Sequence, residues 1–470
     1  MPDPTSQSIL ESLWTMARQP QDELRHLHIH PGPNLPSLFN VGPVASATIG
    51  AQALTAASIW ADRTGRTQSI EIDPRHAQAC FRSERYLQLD GKPFGEVHDA
   101  LHGFYPVAGK QWVQLHTAFG HHREGVLRIL GCEPTREAVT ASLQNWQAEQ
   151  LESQLAEAGL VGSAVRSTDQ WQRHPHAGAL SRLPLFEIQR IGDAPAQPVG
   201  GGEEPLRPLS GVRVLDLSRV IAAPVAARTL AQHGADVLAV SAAHLPQVHQ
   251  LLIDTGRGKR QAFLDLREAQ QREQMLDLVR GADVFIQAFR PGGLAQKGFG
   301  PESLARVRPG LVYVTLSAYG HVGPWSTRRG YDSLVQSATG IAHAEGLAAG
   351  LDGPGKLPCQ ALDYATGYLA ALGAMVALRR RATEGGSWLV RVSLAQTARW
   401  LRSLGERENG YAEPDLSVDE VKPWIEQMQT PFGNIGAVAP AEQMSITPAR
   451  YEQVCVPCGT DEPVWLSKES

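Results

Sequence analysis

Downstream of position 208, short apolar runs alternate with stretches in which apolar residues recur every three or four positions. GVRVLDLSRV reads as a strand, Ala222 to His233 as a helix and ADVLAV, Ala235 to Val240, as a second strand. The pattern continues with the strand AFLDLR, an amphipathic helix from Glu268 to Arg280, the strand ADVFIQAF, a short helix from Pro301 to Arg306 and the strand LVYVTLSAYG. Strands alternating with helices require right-handed crossovers and predict a parallel, doubly wound, Rossmann-like sheet. Its first turn, SRVIAAP, lacks the glycines that let a backbone approach a pyrophosphate, which argues against NAD or FAD.

The earlier part of the chain is ordered differently. An apolar helix near Ala47 to Ala61 is followed by a turn at Arg63 to Arg66, the strand QSIEID and a mixed α+β stretch from Arg85 to Pro175. Gly373 to Arg381, the turn Thr383 to Gly386 and the strand WLVRVSL repeat that helix-turn-strand order. Setting Gly65 against Gly385 brings Asp73 onto Ser393 and carries Asp363 back to Pro43, so the first copy has no carboxylate there and is expected to be structural or lid-like. Between the two parts QPVGGGEEPLR, residues 197–207, has the Pro/Gly/Glu character of a linker. The fold class is therefore α/β, a Rossmann-like parallel sheet domain plus a smaller α+β domain, with an internal partial duplication.

Composition narrows the partners. A chain of 470 residues, 42% hydrophobic, can fill two or three domain cores. A net charge of -5 without a Lys/Arg run gives no footprint for nucleic acid or an anionic membrane. The N-terminus has no signal pattern, so the cytoplasm is expected. The apolar stretch Tyr364 to Leu378, interrupted by Thr366, Gly367 and Gly373, falls short of the roughly 20 residues that span a bilayer and reads as a buried helix. Five cysteines, Cys80, Cys132, Cys359, Cys455 and Cys458, suit a reduced compartment, and Cys455–Cys458 lacks the further ligands of a zinc site. His28, His30, His121 and His122 form no metal pattern and are expected in loops or at the surface.

Taken in order, LSGVRVLDLSRVIAAPVAARTLAQHGADVLAV, GKRQAFLDLR, ADVFIQAFRPGGLAQKGFG, RPGLVYVTLSAYGHVGPW, GYDSLVQSATG and ALDYATGYLAALGAMVAL resemble the class III CoA-transferase (CaiB/BaiF) family, which includes formyl-CoA, succinyl-CoA and carnitine CoA-transferases and alpha-methylacyl-CoA racemase. GFYPVAGKQWVQLHTAFGHHREGVLRILG and VRSTDQWQRHP resemble the family's later portion with its small domain. The resemblance implies a degenerate family copy over 1–200 (helix-turn-strand block plus small domain), a Rossmann-like CoA-binding and catalytic region over 206–403 and a shortened C-terminal return over 404–470. It also implies a possible homodimer, some of whose contacts the fusion replaces.

The resemblance makes Asp363 the nucleophile of a transferase that moves CoA between carboxylic acids through an aspartyl anhydride and an aspartyl-CoA thioester. Acyl-CoA and an acid acceptor are the partners, CoA is substrate, and no permanently bound cofactor or metal is needed. Bottom-up, an ionised carboxylate can attack a thioester carbonyl. Asp363 also stands where a helix N-cap would. Racemases of the family pair the aspartate with a histidine where this chain has Tyr331, whose phenol is a poor base at neutral pH. The remaining alternatives are that racemase or isomerase activity and a non-catalytic CoA-binding subunit. For CoA the resemblance implies Val220, Leu264, Asp265, Leu266, Arg267, Phe289, Arg329 and Tyr331, with Arg267 and Arg329 standing where lysine is common. The chain departs from family patterns at Ile221 and at Ser241-Ala242.

Overall fold

The computed structural model describes residues 4–95, 99–201 and 205–466, so Gly202, Glu203 and Glu204 of the expected linker and the first three residues of the N-terminus lie outside the described residues. Its centre is a seven-stranded sheet ordered Lys259–Phe263, Asp236–Ser241, Arg213–Leu217, Val284–Gln287, Val312–Ser317, Ser387–Ser393 and Phe186–Gly192. Six strands are parallel; the last joins antiparallel at the edge and comes from ahead of the 197–207 segment. Val214, Leu215, Val284, Ile286, Val312 and Val314 are all fully buried, because helices cover both faces of a parallel sheet and exclude water from its middle.

One strand lies earlier than hydrophobicity indicated. AFLDLR reads as a strand, yet the strand is Lys259–Phe263 and Leu264 to Arg267 form the turn after it. Its charged residues are buried because each has a fixed partner: Lys259 Nζ donates to Asp216 Oδ2 at 2.8 Å, and Arg260 Nη2 donates to both oxygens of Asp236 at 2.9 and 3.1 Å. Pairing, which pattern cannot see, removes most of the penalty for burying them.

The duplication is visible in the backbone. Helices Val41–Thr64 and Ala361–Glu384 each run 24 residues and begin and end 320 positions apart. Their N-caps, Asn40 (φ -77°, ψ 53°) and Gln360 (φ -74°, ψ 58°), share one conformation, and both helices stop at a glycine with positive φ, 70° at Gly65 and 67° at Gly385. A side chain with Cβ is disfavoured there, which is why the chain has glycine at both exits. Asp73 and Ser393, matched in the sequence, cap the helices that follow the two strands. Ile70–Ile72 pairs in parallel with Leu27–Ile29 and antiparallel with Glu442–Met444, as Ser387–Ser393 does with Val312–Ser317 and Phe186–Gly192.

The apolar stretch Tyr364 to Leu378 is the middle of the longer helix Ala361–Glu384. By length and composition it and Val41–Thr64 could cross a membrane, yet 100% and 94% of their apolar windows are buried inside the protein, where the two helices pack on each other.

A second, smaller α+β unit is built from the antiparallel strands Gly103–Val107, Gln111–Leu115 and Gly162–Ala164 and the helices Gly120–Leu130, Arg136–Leu143 and Ala148–Glu157. Tyr105, Val113, Val126, Val139, Leu151 and Leu155 give it a core of its own. It docks on the helix Asp332–Ala338: Arg166 N donates to Ser337 O at 3.0 Å and Ser337 Oγ to Gln114 Oε1 at 2.6 Å. That seam sets where the unit's helix Gly120–Leu130 meets the sheet. Beyond residue 403 a hairpin, Ile425–Thr430 with Gly433–Val438, leads into Glu442–Met444 on the N-terminal sheet.

Candidate active site

Strand Arg213–Leu217 has Asp236–Ser241 on one side and Val284–Gln287 on the other, so the chain leaves it in opposite directions. Such a switch point opens a crevice beyond the carboxyl ends of the strands. A cleft of about 590 Å³ lies there, lined by the turns after these strands, by the loop ahead of the Asp332–Ala338 helix, by Asp363 and by the small unit's Phe119, His121 and His122.

Val220, Leu264, Asp265, Leu266, Arg267, Phe289, Arg329, Tyr331 and Asp363 all line this one cleft. Val220 has φ 75°, the left-handed region that a β-branched residue enters at a cost of roughly 1–2 kcal/mol. The first βα turn is thus held taut against the cleft, with Ile221 as the N-cap of the helix Ala222–Gln232. Phe289 N donates to Gln287 Oε1 at 2.7 Å, which fixes the turn after Val284–Gln287. Arg267 is exposed, and its guanidinium grips Asp265 through Nε at 3.0 Å to both oxygens while Nη2 reaches His244 Nδ1 at 3.0 Å. Hydrogen bonds from Arg267 hold the Asp265 carboxyl down at about 2.

Asp363 is not a helix cap. It is the third residue of Ala361–Glu384, whose cap is Gln360, and its own N–H donates to Asp332 Oδ2 at 2.9 Å. The residue lines the cleft yet is only 6% exposed. Burial, then the neighbouring Asp332 and Glu84, push its pKa well above the usual carboxylate range. Burial likewise raises Asp332 to about 6. Behind them Tyr364 Oη donates to Glu84 Oε2 at 2.5 Å, and Ser83 Oγ donates to Asp254 Oδ2 at 2.6 Å. Asp254 is held by Arg228 Nη1 at 3.0 Å and Arg257 Nη2 at 2.8 Å. Asp363, Asp332 and Glu84 are buried within electrostatic range of one another, which disfavours ionising all three together.

Tyr331, the N-cap of Asp332–Ala338, stacks on His116 with ring centroids 4.0 Å apart. Burial first, opposed by Arg219 and Arg329, pushes its phenol up to about 12. Ser241 and Ala242 also line the cleft, next to His244 and Pro246.

Some contributors escaped sequence reasoning. His121 and His122, expected in loops or at the surface, lie in the first turn of Gly120–Leu130 and face the cleft, because docking of the small unit turns that helix end inward; His28 and His30 stay outside it. Asp332 stood in a recognised motif without a role. Glu84 gave no signal, since its proximity to Asp363 arises from packing between residues far apart in the chain. Cys455 packs with Leu87, Ile253 and Ile435, all five cysteines are free thiols, and among the described residues no cluster could hold a metal.

Residues 209–406 match the CoA-transferase family III profile. Acetyl-coenzyme A transferase nodX of Hypoxylon pulicicidum is 33% identical over 313 residues, which cover 62% of this chain and 53% of that protein. The succinyl-CoA:glutarate CoA-transferase of Mus musculus is 31% identical over 193 residues, 38% of this chain and 44% of that protein. A crystal structure of a CAIB/BAIF family protein from Brucella suis is 26% identical with a TM-score of 0.35, over 49% of this chain and 65% of that one. The chain spans about half the length of the curated relatives it matches.

Proposed function

From the match of residues 209–406 to the CoA-transferase family III profile we propose that the protein moves coenzyme A between carboxylic acids with Asp363 as its nucleophile. The observation that carries the reading is that Asp363 lines the same cleft as Val220, the Leu264–Arg267 turn, Phe289, Arg329 and Tyr331. In the first step a carboxylate oxygen of Asp363 bonds to the thioester carbon, the C–S bond breaks and CoA leaves as thiolate, giving a mixed anhydride. The thiolate then attacks the aspartyl carbonyl and expels the first acid as its carboxylate. An incoming carboxylate attacks the aspartyl thioester and releases CoA thiolate, which attacks the new acyl carbonyl and frees Asp363.

Attack requires the ionised carboxylate. Burial and the charges of Asp332 and Glu84 oppose that ionisation and make the ion, once formed, the more basic nucleophile. Adduct formation should therefore rise with pH until the proton has left. Tyr331, which holds its own proton up to about 12, gives no support to a two-base racemase. The reading includes a cytoplasmic enzyme, in keeping with its five free thiols, and a homodimer on the strength of family resemblance.

Incubation with acyl-CoA and hydroxylamine tests the proposal: an aspartyl thioester yields a hydroxamate on the Asp363 peptide, read by mass spectrometry, and Asp363→Ala yields none. Deuterium uptake at the α-carbon without an adduct would point to racemisation instead. CoA binding with neither signal would leave a non-catalytic subunit.

A further inference from the structure

A second cavity, of about 160 Å³, opens at the carboxyl ends of Val284–Gln287, Val312–Ser317 and Ser387–Ser393, where open α/β sheets receive ligands. It shares Arg290, Leu294 and Ser317 with the cleft, yet among the described residues neither Asp363 nor any side chain expected to meet CoA lines it. Its floor is one row of side chains on one face of the sheet: Gln287 beside Thr315, Thr315 beside Arg391, and Arg391 beside Glu187 of the edge strand. Two residues earlier on the same face the row is Phe285, Tyr313 and Leu389, which share a core with Leu304. Polar side chains thus take over from apolar ones within two residues, a change that packing alone does not require.

Two acceptors among the lining residues lack a close donor. Gln396 is 4% exposed; its Nε2 donates to Leu183 O at 2.8 Å and Pro184 O at 2.7 Å, and its Oε1 is buried without a partner. A buried carbonyl oxygen left so costs free energy that an arriving N–H would recover. Glu187 Oε2 accepts from Gln189 Nε2 at 2.8 Å, but Oε1 has His321 Nδ1 at 3.6 Å, too long for a hydrogen bond. Burial holds His321 below its ordinary pKa, so at neutral pH it stands uncharged and does not cancel the carboxylate. The Arg391 guanidinium lies equally far, 3.6 Å, from Glu187 Oε2 while donating to Gln189 Oε1 at 3.1 Å, and the exposed Arg290 supplies a second cation.

A simple carboxylate would meet the guanidinium groups but be repelled by Glu187 and offer Gln396 nothing. A simple amine would satisfy both acceptors and be repelled by Arg391 and Arg290. A molecule with both charges on one carbon answers the whole set. Leu185, Pro291, Leu389 and Val392 give the remaining wall to an apolar side chain, and cavities of roughly 150 Å³ take a molecule about the size of benzene. We propose that this cavity binds a small aliphatic α-amino acid, with its ammonium on Glu187 and Gln396 and its carboxylate on Arg391 and Arg290. The site is independent of the transferase reading.

Calorimetry on the full chain tests this with leucine against 4-methylpentanoate, which lacks the ammonium, and 3-methylbutylamine, which lacks the carboxylate. Leucine should bind at least about tenfold tighter than either. Its margin over the acid should fall toward unity in Glu187→Gln, and its margin over the amine in Arg391→Gln. Arg391→Lys, which keeps the charge, should keep that second margin, and Asp363→Ala should bind leucine as the wild type does. No binding of leucine, equal binding of either analogue or of a polyol such as erythritol, or a preference that survives both substitutions overturns the proposal. Leucine binding that Asp363→Ala abolishes would place the amino acid in the catalytic cleft and overturn it too. Leucine binding with these preferences in a chain that forms no CoA adduct upholds the cavity and refutes the transferase reading.

Discussion

Replacing Asp332 by Asn removes one of the three buried acids while keeping an oxygen that can accept from the Asp363 N–H. The Asp332 carboxyl is raised from 3.8 to about 6, chiefly by burial, so the folded protein holds this proton where the unfolded chain has released it. Below pH 3.8 both states are protonated and the residue costs nothing by this route. Between 3.8 and about 6 the unfolded state binds fewer protons, and stability falls as pH rises by about 1.4 kcal/mol per unit. The full window is worth about 3 kcal/mol, of which denaturant unfolding at about pH 4.5 and about pH 7.5 should capture about 2 kcal/mol. The variant carries any hydrogen-bond loss at both pH values, so the change in the difference variant minus wild type reports the ionisation of Asp332 together with the easier ionisation of Asp363. That difference should move in favour of Asp332→Asn at the higher pH. Asp363 should ionise more easily in the same variant, and the acid limb of adduct formation should shift to lower pH, because Asp332 is the largest charge opposing its ionisation. A stability difference that is flat with pH, or that moves against the variant, refutes this account of the carboxyl cluster.

Gly367→Ala would set a Cβ 2.4 Å from Ala222 O and 2.9 Å from Val225 Cβ, so the helix bearing Asp363 must move off its neighbour; a loss of roughly 1–3 kcal/mol in unfolding free energy is expected, together with slower adduct formation. Asp254→Asn strands the buried Arg228 and Arg257 and should cost about 3–5 kcal/mol, read by the same unfolding assay. Arg267→Ala should weaken CoA binding by about fivefold in calorimetry, the scale of one exposed charged contact, whereas Asp265→Asn, which frees the guanidinium, should tighten it.

Strands such as Arg213–Leu217 and Val284–Gln287 were legible because a parallel sheet covered on both faces favours largely apolar runs, interrupted in the first by Asp216. Lys259–Phe263 was misplaced because its burial depends on partners at Asp216 and Asp236 rather than on its own hydrophobicity. The Gly65–Gly385 match was legible to the residue, since a helix exit at positive φ restricts the choice of amino acid wherever it recurs. The cleft residues could be named one by one from motifs in the second half of the chain. The cleft wall at His121 and His122 could not, because its position depends on how the small unit docks on Asp332–Ala338, through contacts such as Ser337 with Gln114. Glu84 was hidden for the same reason.

The two copies of the helix-turn-strand block have diverged in complementary ways. At the offset of 320 positions Asp363 faces Pro43, which fits a first helical turn where no intrahelical N–H is needed but carries no carboxyl. Glu84 meets Leu404 at the same offset, so the second copy lacks the acid that the first supplies. Yet Glu84 accepts from the hydroxyl of Tyr364, the residue after Asp363, and Ser83 accepts from Arg228 at 3.4 Å while donating to Asp254. One block therefore bears Asp363 in the cleft wall, and the other helps to set how tightly its carboxyl holds a proton. The packing of Val41–Thr64 on Ala361–Glu384 is what keeps the two within electrostatic range, and neither copy would reproduce the site alone.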